Sequence, residues 1–407
     1  MELLSPAGSI EKLEYAYRYG ADAAYIGLKN FSLRGRADNF DEDAVDAIRR
    51  VKGEKRLYAA VNVYFHEGDL GRLRRSLDGV ASYPLDAFIV SDLGAAALLR
   101  RAFPDKPLHL STQANCLNSE AIKMYRDIGF SRVILGREVS LDEIKEIRDA
   151  VPEVEIETFV HGAMCLAYSG RCFLSAYMAD RSANEGDCAH SCRWEYELRE
   201  RKRPEESYPV IEEDGFTTIL SSRDLKMIDH ISALRDAGVD SLKIEGRMKS
   251  VYYTAVVTRA YRKQIDYLTG MISDPEEVRP YVAELDEVSH REYTTGFYFD
   301  RQEVSKPADA AYRRPFLFLG TLGEEVRPGR YRLDLKNKIR RGEAIEFIGP
   351  NNPGIEDSRF LLYDDEGNRV EDRDHNKGAF IEPSLPVERG FILRRRKRDS
   401  VDGVAER

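Results

Sequence analysis

Four cysteines crowd into one stretch of the chain, spaced Cys165-x6-Cys172-x15-Cys188-x3-Cys192. Structural zinc sites gather their ligands as short knuckles, because each knuckle is one tight turn. Only Cys188 and Cys192 approach that spacing; Cys165 and Cys172 are set wider, as two points on a loop and a helix. Four thiolates at irregular intervals suit a four-iron–four-sulfur (4Fe-4S) cluster, whose irons each take one thiolate. Soft thiolates also accept zinc, and unrelated buried cysteines are the third reading. His161, His190, Arg171 and Arg193 flank the segment. Cations and N–H donors there would stabilise a negative cluster, or would solvate a loop. Cys116 stands apart and reads as a small buried residue.

The elements that must hold this segment alternate. Apolar strands are expected at Leu3–Ser5, Ala23–Gly27, Arg56–Val63, Ala87–Ser91, Leu108–Thr112, Arg132–Leu135, Val154–Val160 and Ser241–Glu245. Helices are expected at Ile10–Tyr19, Glu42–Val51, Leu93–Ala102, Ser119–Ile128, Leu141–Ala150 and Asp224–Ala237, with Ser140 and Glu143 in capping-box spacing. Apolar strands separated by amphipathic helices imply a parallel sheet covered on both faces. Eight of them fit an α/β chain built as a (β/α)8 TIM-like barrel, with an open doubly wound sheet as runner-up. A barrel presents its chemistry at the C-terminal ends of its strands. Those ends carry Asn62, Asp92, Gln113, Arg137, His161, Glu245 and Arg247. Asp92, Gln113, His161 and Glu245 are the candidate catalytic groups. Arg34, Arg137, Arg247 and Asn62 are the candidate substrate binders, because guanidinium pairs with carboxylate or phosphate through two hydrogen bonds.

A long excursion over residues 162–222 follows the seventh strand and holds the cysteine cluster. A helical stretch runs from Ser250 to Leu268, where Tyr252, Tyr253 and Tyr261 read as packing residues. From residue 309 the texture changes to short strands divided by Gly, Pro, Asn and Asp, a small antiparallel β-barrel over 309–398. The barrel domain is placed at residues 1–300. The tail run Arg394–Arg398, with Lys336, Lys338, Arg340 and Arg341, offers a basic surface for phosphates, or a solvated charge run.

Composition bounds the rest. The 407 residues are 42% hydrophobic, enough for a sizeable core, and carry a net charge of -9, which argues against coating nucleic acid by bulk charge. No apolar run reaches the roughly 18–20 residues of a membrane helix. The first residues show no leader, so a cytoplasmic protein without membrane contact is expected. Gly-x-Gly-x-x-Gly after the first strand, His-Glu-x-x-His, Gly-x-Ser-x-Gly and a phosphate-binding Gly-x4-Gly-Lys loop are all missing. Dinucleotide binding, zincin, α/β-hydrolase and P-loop chemistry are therefore poorly supported.

The run from Glu157 to Ser175, including His161-Gly162-Ala163-Met164-Cys165 and Gly170-Arg171-Cys172, resembles the signature of peptidase family U32, the collagenase-like proteases. Segments at Glu2–Gly8, Phe31–Arg34, Ser111–Asn115, Ser241–Arg247 and His290–Tyr293 resemble the same family, so the likeness spans about residues 1–300. Members with four such cysteines are similar to oxygen-independent hydroxylases that carry a 4Fe-4S cluster. The resemblance implies ligation by Cys165, Cys172, Cys188 and Cys192. One branch hydroxylates the wobble uridine of tRNA at carbon 5 with a prephenate-linked hydroxyl donor. A second acts on a cytidine of ribosomal RNA, and a third on a ubiquinone precursor. In length and ending this chain is most similar to the tRNA branch, which makes tRNA the expected partner and allows a second U32-family subunit. The competing expectations are a U32-type peptidase, a hydroxylase of ribosomal RNA, and a non-catalytic RNA-binding protein stapled by zinc.

Overall fold

The structure, a computed structural model, describes residues 1–28, 31–32, 44–164, 172, 174–181, 188–189, 191, 198–200, 203–208, 211–213, 216–218, 223–299, 313–375 and 377–397, with backbone alone from 198 to 218. Seven strands open the chain: Glu2–Pro6 (β1), Ala23–Gly27 (β2), Arg56–Val61 (β3), Ala87–Val90 (β4), Leu108–Leu110 (β5), Phe130–Ile134 (β6) and Glu155–Ala163 (β7). Between them run Ile10–Arg18 (α1), Val45–Lys52 (α2), Glu67–Ser82 (α3), Leu93–Ala102 (α4), Ser119–Asp127 (α5) and Leu141–Ala150 (α6). After β7 come Leu174–Ala179 (α7), Leu198–Glu200 (β8), Arg203–Tyr208 (β9), Ile211–Glu213 (β10), Phe216–Thr218 (β11) and Asp224–Lys226 (β12). Then follow Ile231–Asp236 (α8), Ser241–Ile244 (β13), Val251–Leu268 (α9), Pro275–Ala283 (α10) and Tyr293–Thr294 (β14).

Strands β1 to β7 pair in sequence order, all parallel, and β13 pairs in parallel with both β1 and β7. The sheet therefore closes into the expected eight-stranded barrel. Its strands are nearly all buried because helices cover the outside while side chains fill the inside. Side chains cap the helices: Ser140 and Glu143 form the expected capping box on α6, and Ser9, Asn118 and Ser250 accept N–H bonds at the starts of α1, α5 and α9. Helix α3 is absent from the sequence expectations. Gly68, Gly71 and Gly79 weaken its helical signal, and Asp69 offsets this by accepting the His66 N–H at its start.

The helix expected over Asp224–Ala237 is divided. Its first residues form β12, antiparallel to β7 and parallel to β14, and only Ile231–Asp236 is α-helical. The cause is Asp224, whose buried carboxylate accepts from Arg291 Nη2 at 2.9 Å and Nε at 3.1 Å. That pair fixes the strand edge before a helix can begin.

The lower interior of the barrel is charged. Arg132 bonds Glu2 at 2.5 Å and Glu157 at 3.1 Å, and Lys243 bonds Glu157 at 2.8 Å. Burial pushes the Glu157 carboxyl up, but Lys243 and Arg132 outweigh it and hold it below the usual carboxylate range. Two cations answer two carboxylates, so the buried set is balanced.

The chain divides into two compact units, Met1–Val278 with His290–Tyr312, and Arg279–Ser289 with Arg313–Arg407. The second holds Phe316–Arg327 (β15), Arg330–Leu335 (β16), Ile339–Arg340 (β17), Ile345–Gly349 (β18), Asn352–Asp357 (β19), Leu361–Tyr363 (β20), Arg369–Val370 (β21), Asp372–Arg373 (β22), Ala379–Glu382 (β23) and Ile392–Arg396 (β24). Eight of these form an antiparallel sheet ordered β19-β18-β24-β15-β16-β23-β20-β21 around a core that includes Leu319, Phe347, Phe360 and Leu393.

The cations expected to form a basic surface are divided between buried and exposed positions in this unit. Arg394, Arg395 and Arg396 lie in β24, a central strand. Arg394 is buried, stacked 4.0 Å over Phe316, and paired with Glu284, Glu287 at 2.5 Å and Glu346 at 2.6 Å. Arg395 pairs with Glu343, Lys336 with Asp334, Lys338 with Asp372 and Arg341 with Glu371. Much of the positive run is thus paired where it folds, while Arg340, Arg396 and Lys397 stay exposed; Arg398 lies outside the described residues. Among the described residues no helix is long and apolar enough to cross a membrane.

Candidate functional site

The C-terminal ends of the barrel strands surround a small cavity, partly open to solvent. Each wall comes from a different strand end: Asn62 after β3, Ser111 to Gln113 after β5, Arg137 after β6, Phe159 on β7, and Lys243, Glu245 and Arg247 on and after β13. Five sequence-selected residues, Asn62, Gln113, Arg137, Glu245 and Arg247, therefore meet in one place. Arg34 lies outside the described residues.

The polar wall is built from short contacts. Asn62 Nδ2 donates to Ser111 Oγ at 3.4 Å, and Ser111 Oγ accepts the Gln113 N–H at 3.3 Å. Gln113 Oε1 is buried without a hydrogen-bond partner among the described residues. The Tyr25 hydroxyl, on β2, lies 3.0 Å from the Ile244 carbonyl, to which it donates, and 3.4 Å from Glu245 Oε2. Glu245 is the one carboxylate among the described lining residues. The Arg137 guanidinium stacks 3.9 Å from the Phe159 ring centroid. Lys243 faces the cavity floor, but its charge is answered from below by Glu157.

The Glu245–Arg247 turn is pinned by close backbone approaches. A Cβ on Gly162, where φ is +107°, would sit 2.5 Å from the Glu245 carbonyl oxygen. A Cβ on Gly8 would sit 2.5 Å from the Arg247 carbonyl oxygen. Arg247 is buried and donates to Ser32. Only glycine permits such contacts, so the backbone under these two side chains is held from both sides.

His161 and Asp92 are not in the cavity lining. Between Phe159 and His161 the β7–β13 register slips: Phe159 faces Lys243, yet His161 faces the very next residue, Ile244. One extra residue in β7 is a bulge, and it turns His161 off the inward face that strand alternation predicts. His161 is instead buried among Tyr253, Tyr261 and Tyr293. Burial pulls its imidazole down to about 3, against the opposing pull of Asp224, so it is neutral at physiological pH. Tyr261 donates to the Val160 carbonyl at 2.7 Å and accepts the Met227 N–H at 3.1 Å. Its hydroxyl therefore has only an acceptor role left toward His161 Nδ1 at 3.4 Å, which puts the proton on Nδ1. Asp92 accepts the Ala95 N–H at 2.8 Å as the N-cap of α4, a structural duty rather than the catalytic one considered for it. Tyr252, Tyr253 and Tyr261 are buried in α9, as packing predicts.

Of the cysteines, Cys165 and Cys192 lie outside the described residues. Cys172 and Cys188 are half-buried and form no disulfide. Ser175 Oγ accepts the Ala189 N–H at 2.8 Å, which draws the segments after Cys172 and after Cys188 together. Ser191, between Cys188 and Cys192 in sequence, is 1% exposed and its hydroxyl has no partner among the described residues. Cys116 is buried and burial pushes its thiol up to about 11, so it is a poor nucleophile.

Sequence reasoning missed Lys243, Phe159 and Ser191. The signal for Lys243 was present: Lys243 stands two residues before Glu245, and strand alternation turns both toward the same face. No comparable pattern marks Ser191.

The chain matches the model of peptidase family U32 over residues 8–307 and that of the peptidase family U32 C-terminal domain over residues 314–394. It is 37% identical over 399 residues to tRNA hydroxylation protein P of Escherichia coli (strain K12), covering 86% of this chain and 86% of that protein. It is 36% identical over 383 residues to tRNA hydroxylation protein P1 of Bacillus subtilis (strain 168), covering 92% and 89%. A 23S rRNA 5-hydroxycytidine synthase of Escherichia coli (strain K12) is 33% identical over 357 residues, covering 86% of this chain but 52% of that enzyme.

Proposed function

The chain belongs to peptidase family U32, and from that premise we propose that it is an RNA hydroxylase that converts the wobble uridine of tRNA to 5-hydroxyuridine without oxygen. The observation that carries the reading is the place where β7 ends. The strand that leads to the cysteine segment is pressed, at Gly162, against the carbonyl of Glu245 in the cavity wall. A redox centre on that segment would then border a pocket lined by polar groups and two arginines. Similarity to tRNA hydroxylation proteins over most of both chains supports the choice of RNA.

We assign Cys165, Cys172, Cys188 and Cys192 to a 4Fe-4S cluster. The donor set fits: Cys172 and Cys188 are outside disulfides, and the buried Ser191 hydroxyl needs an acceptor that sulfur would supply. When bound, the cluster supplies electron transfer. Replacing C5–H by C5–OH is a two-electron oxidation, with oxygen and oxidising equivalents from the prephenate-linked donor. The protein binds and orients. Arg137 presents its guanidinium to a planar group at the cavity, the buried Arg247 adds positive charge beside it, and Asn62 and Gln113 present amides to the base. Glu245 takes the C5 proton, being the carboxylate that faces the cavity. A base reaches this pocket only when unstacked, and an anticodon loop makes that cheap. For a peptidase the described lining residues offer no activated nucleophile: Ser111 is engaged with amides.

Anaerobic purification with iron and sulfide assay tests the cofactor, and nucleoside mass spectrometry of tRNA from a deletion strain tests the product. About four irons and four sulfides per chain are expected, falling to near zero in Cys172→Ser/Cys188→Ser, with 5-hydroxyuridine lost in the deletion strain. Stoichiometric zinc without sulfide would sink the redox reading, and unchanged nucleosides would sink the substrate.

A further inference from the structure

The Arg137 guanidinium has one face on the Phe159 ring, 3.9 Å from its centroid, and both residues border the cavity. Arg137 is half-buried and borders the cavity, so the protein does not enclose it completely. A guanidinium is planar, delocalised and weakly hydrated above and below its plane, and it stacks on π systems that a lysine ammonium would meet only as a point charge. Phe159 is held in turn: its carbonyl accepts the Tyr298 hydroxyl at 2.6 Å, and its ring lies 5.6 Å from Lys243 Nζ. Gln113 follows β5, the strand beside the one that leads to Arg137, and Asn62 follows β3; their amides both donate and accept, which matches the hydrogen-bonding edge of a base.

We propose that Arg137 acts by its plane: the target pyrimidine stacks on the guanidinium, which Phe159 backs, with its polar edge toward Gln113 and Asn62. Arg137 is thus a residue that positions a flipped base through its plane rather than through its charge alone. This rests on the proposal that the cavity receives a nucleobase. Base stacking on such a platform changes affinity by roughly 5- to 150-fold.

The test compares two anticodon stem-loop RNAs, one with uridine at the wobble position and one abasic there, by equilibrium binding to the anaerobic holoprotein. The wild type is expected to prefer the uridine RNA by a factor within that range. Arg137→Lys, which keeps the charge, is expected to lose the preference while binding the abasic RNA as the wild type does. Phe159→Leu is expected to lose part of it. If Arg137→Lys keeps the full preference, Arg137 acts by charge and the inference is overturned. If the wild type shows no preference, no base is stacked there and the inference is again overturned. Matched abasic affinity and melting temperature exclude misfolding, and if Arg137→Lys fails that control, Phe159→Leu decides. The tRNA nucleoside assay reads the hydroxylase proposal separately: 5-hydroxyuridine present without a base preference rejects only the role of Arg137.

Discussion

At the mouth of the barrel Arg137 lies 3.9 Å over Phe159; in the C-terminal sheet Arg394 lies 4.0 Å over Phe316. The pairs are alike in residue type and stacking distance. Their surroundings differ. Arg394 is closed in by Glu284, Glu287 and Glu346, whereas Arg137 borders a cavity whose described lining holds one carboxylate, Glu245. A guanidinium surrounded by carboxylates is spent on stability. One that borders a cavity retains surface for a ligand. The count of arginines in a segment says nothing about which use it has.

The largest effect expected from breaking this contrast is in the sheet. Arg394→Ala leaves three carboxylates without their shared cation and should cost about 3–5 kcal/mol, read as a lowered urea midpoint. Arg137→Lys should change the same midpoint by no more than about 0.5 kcal/mol, as for a substitution away from the core. A large loss for Arg137→Lys together with a small one for Arg394→Ala would invert the comparison.

A second effect comes from buried histidine. His161 is held neutral with its pKa about 3, far below its unfolded value. The unfolded chain takes up a proton below about pH 6.5 that the folded chain refuses, so stability is full above that pH and falls as pH drops toward 3. The slope is about 1.4 kcal/mol per pH unit for each such histidine. His109, also pulled down by burial in the barrel, adds a second contribution. Unfolding free energies at pH 7 and pH 5 should differ accordingly, and His161→Gln should flatten the dependence. A wild type equally stable at both values would show that His161 is not held neutral.

The smallest effect is at the surface of the C-terminal unit. Lys338 and Arg341 form exposed pairs with Asp372 and Glu371. Lys338→Ala and Arg341→Ala should each shift stability by about 0–1 kcal/mol. Because their charge is already answered, they should change tRNA affinity by less than about twofold, in a titration at fixed salt. A loss of tenfold or more would restore this face as a phosphate-binding surface.

Much of the architecture was legible because it rests on local patterns. Alternating apolar strands and capped helices gave the barrel, and the strand ends gave Asn62, Gln113, Arg137, Glu245 and Arg247 as neighbours. His161 was misread because a single-residue bulge reverses which face a side chain takes, and nothing in the spacing marks it. Asp92 was misread because the residue that ends a strand can also begin a helix. Both duties use the same residue type. The arginines of β24 looked like a tail because a run of cations resembles solvated chain; their carboxylate partners at 284, 287, 343 and 346 lie about 50 to 110 residues away.

The sequence by itself determined the family, the barrel and the ring of polar strand ends. Each is written in spacing or periodicity, which local stereochemistry converts directly into structure. The tertiary structure alone decided which charges remain available. Lys243 is answered by Glu157, Arg394 by three glutamates, and His161 is held neutral by burial. Charge is a property of a side chain, but its usefulness depends on the desolvation and partners that only folding supplies.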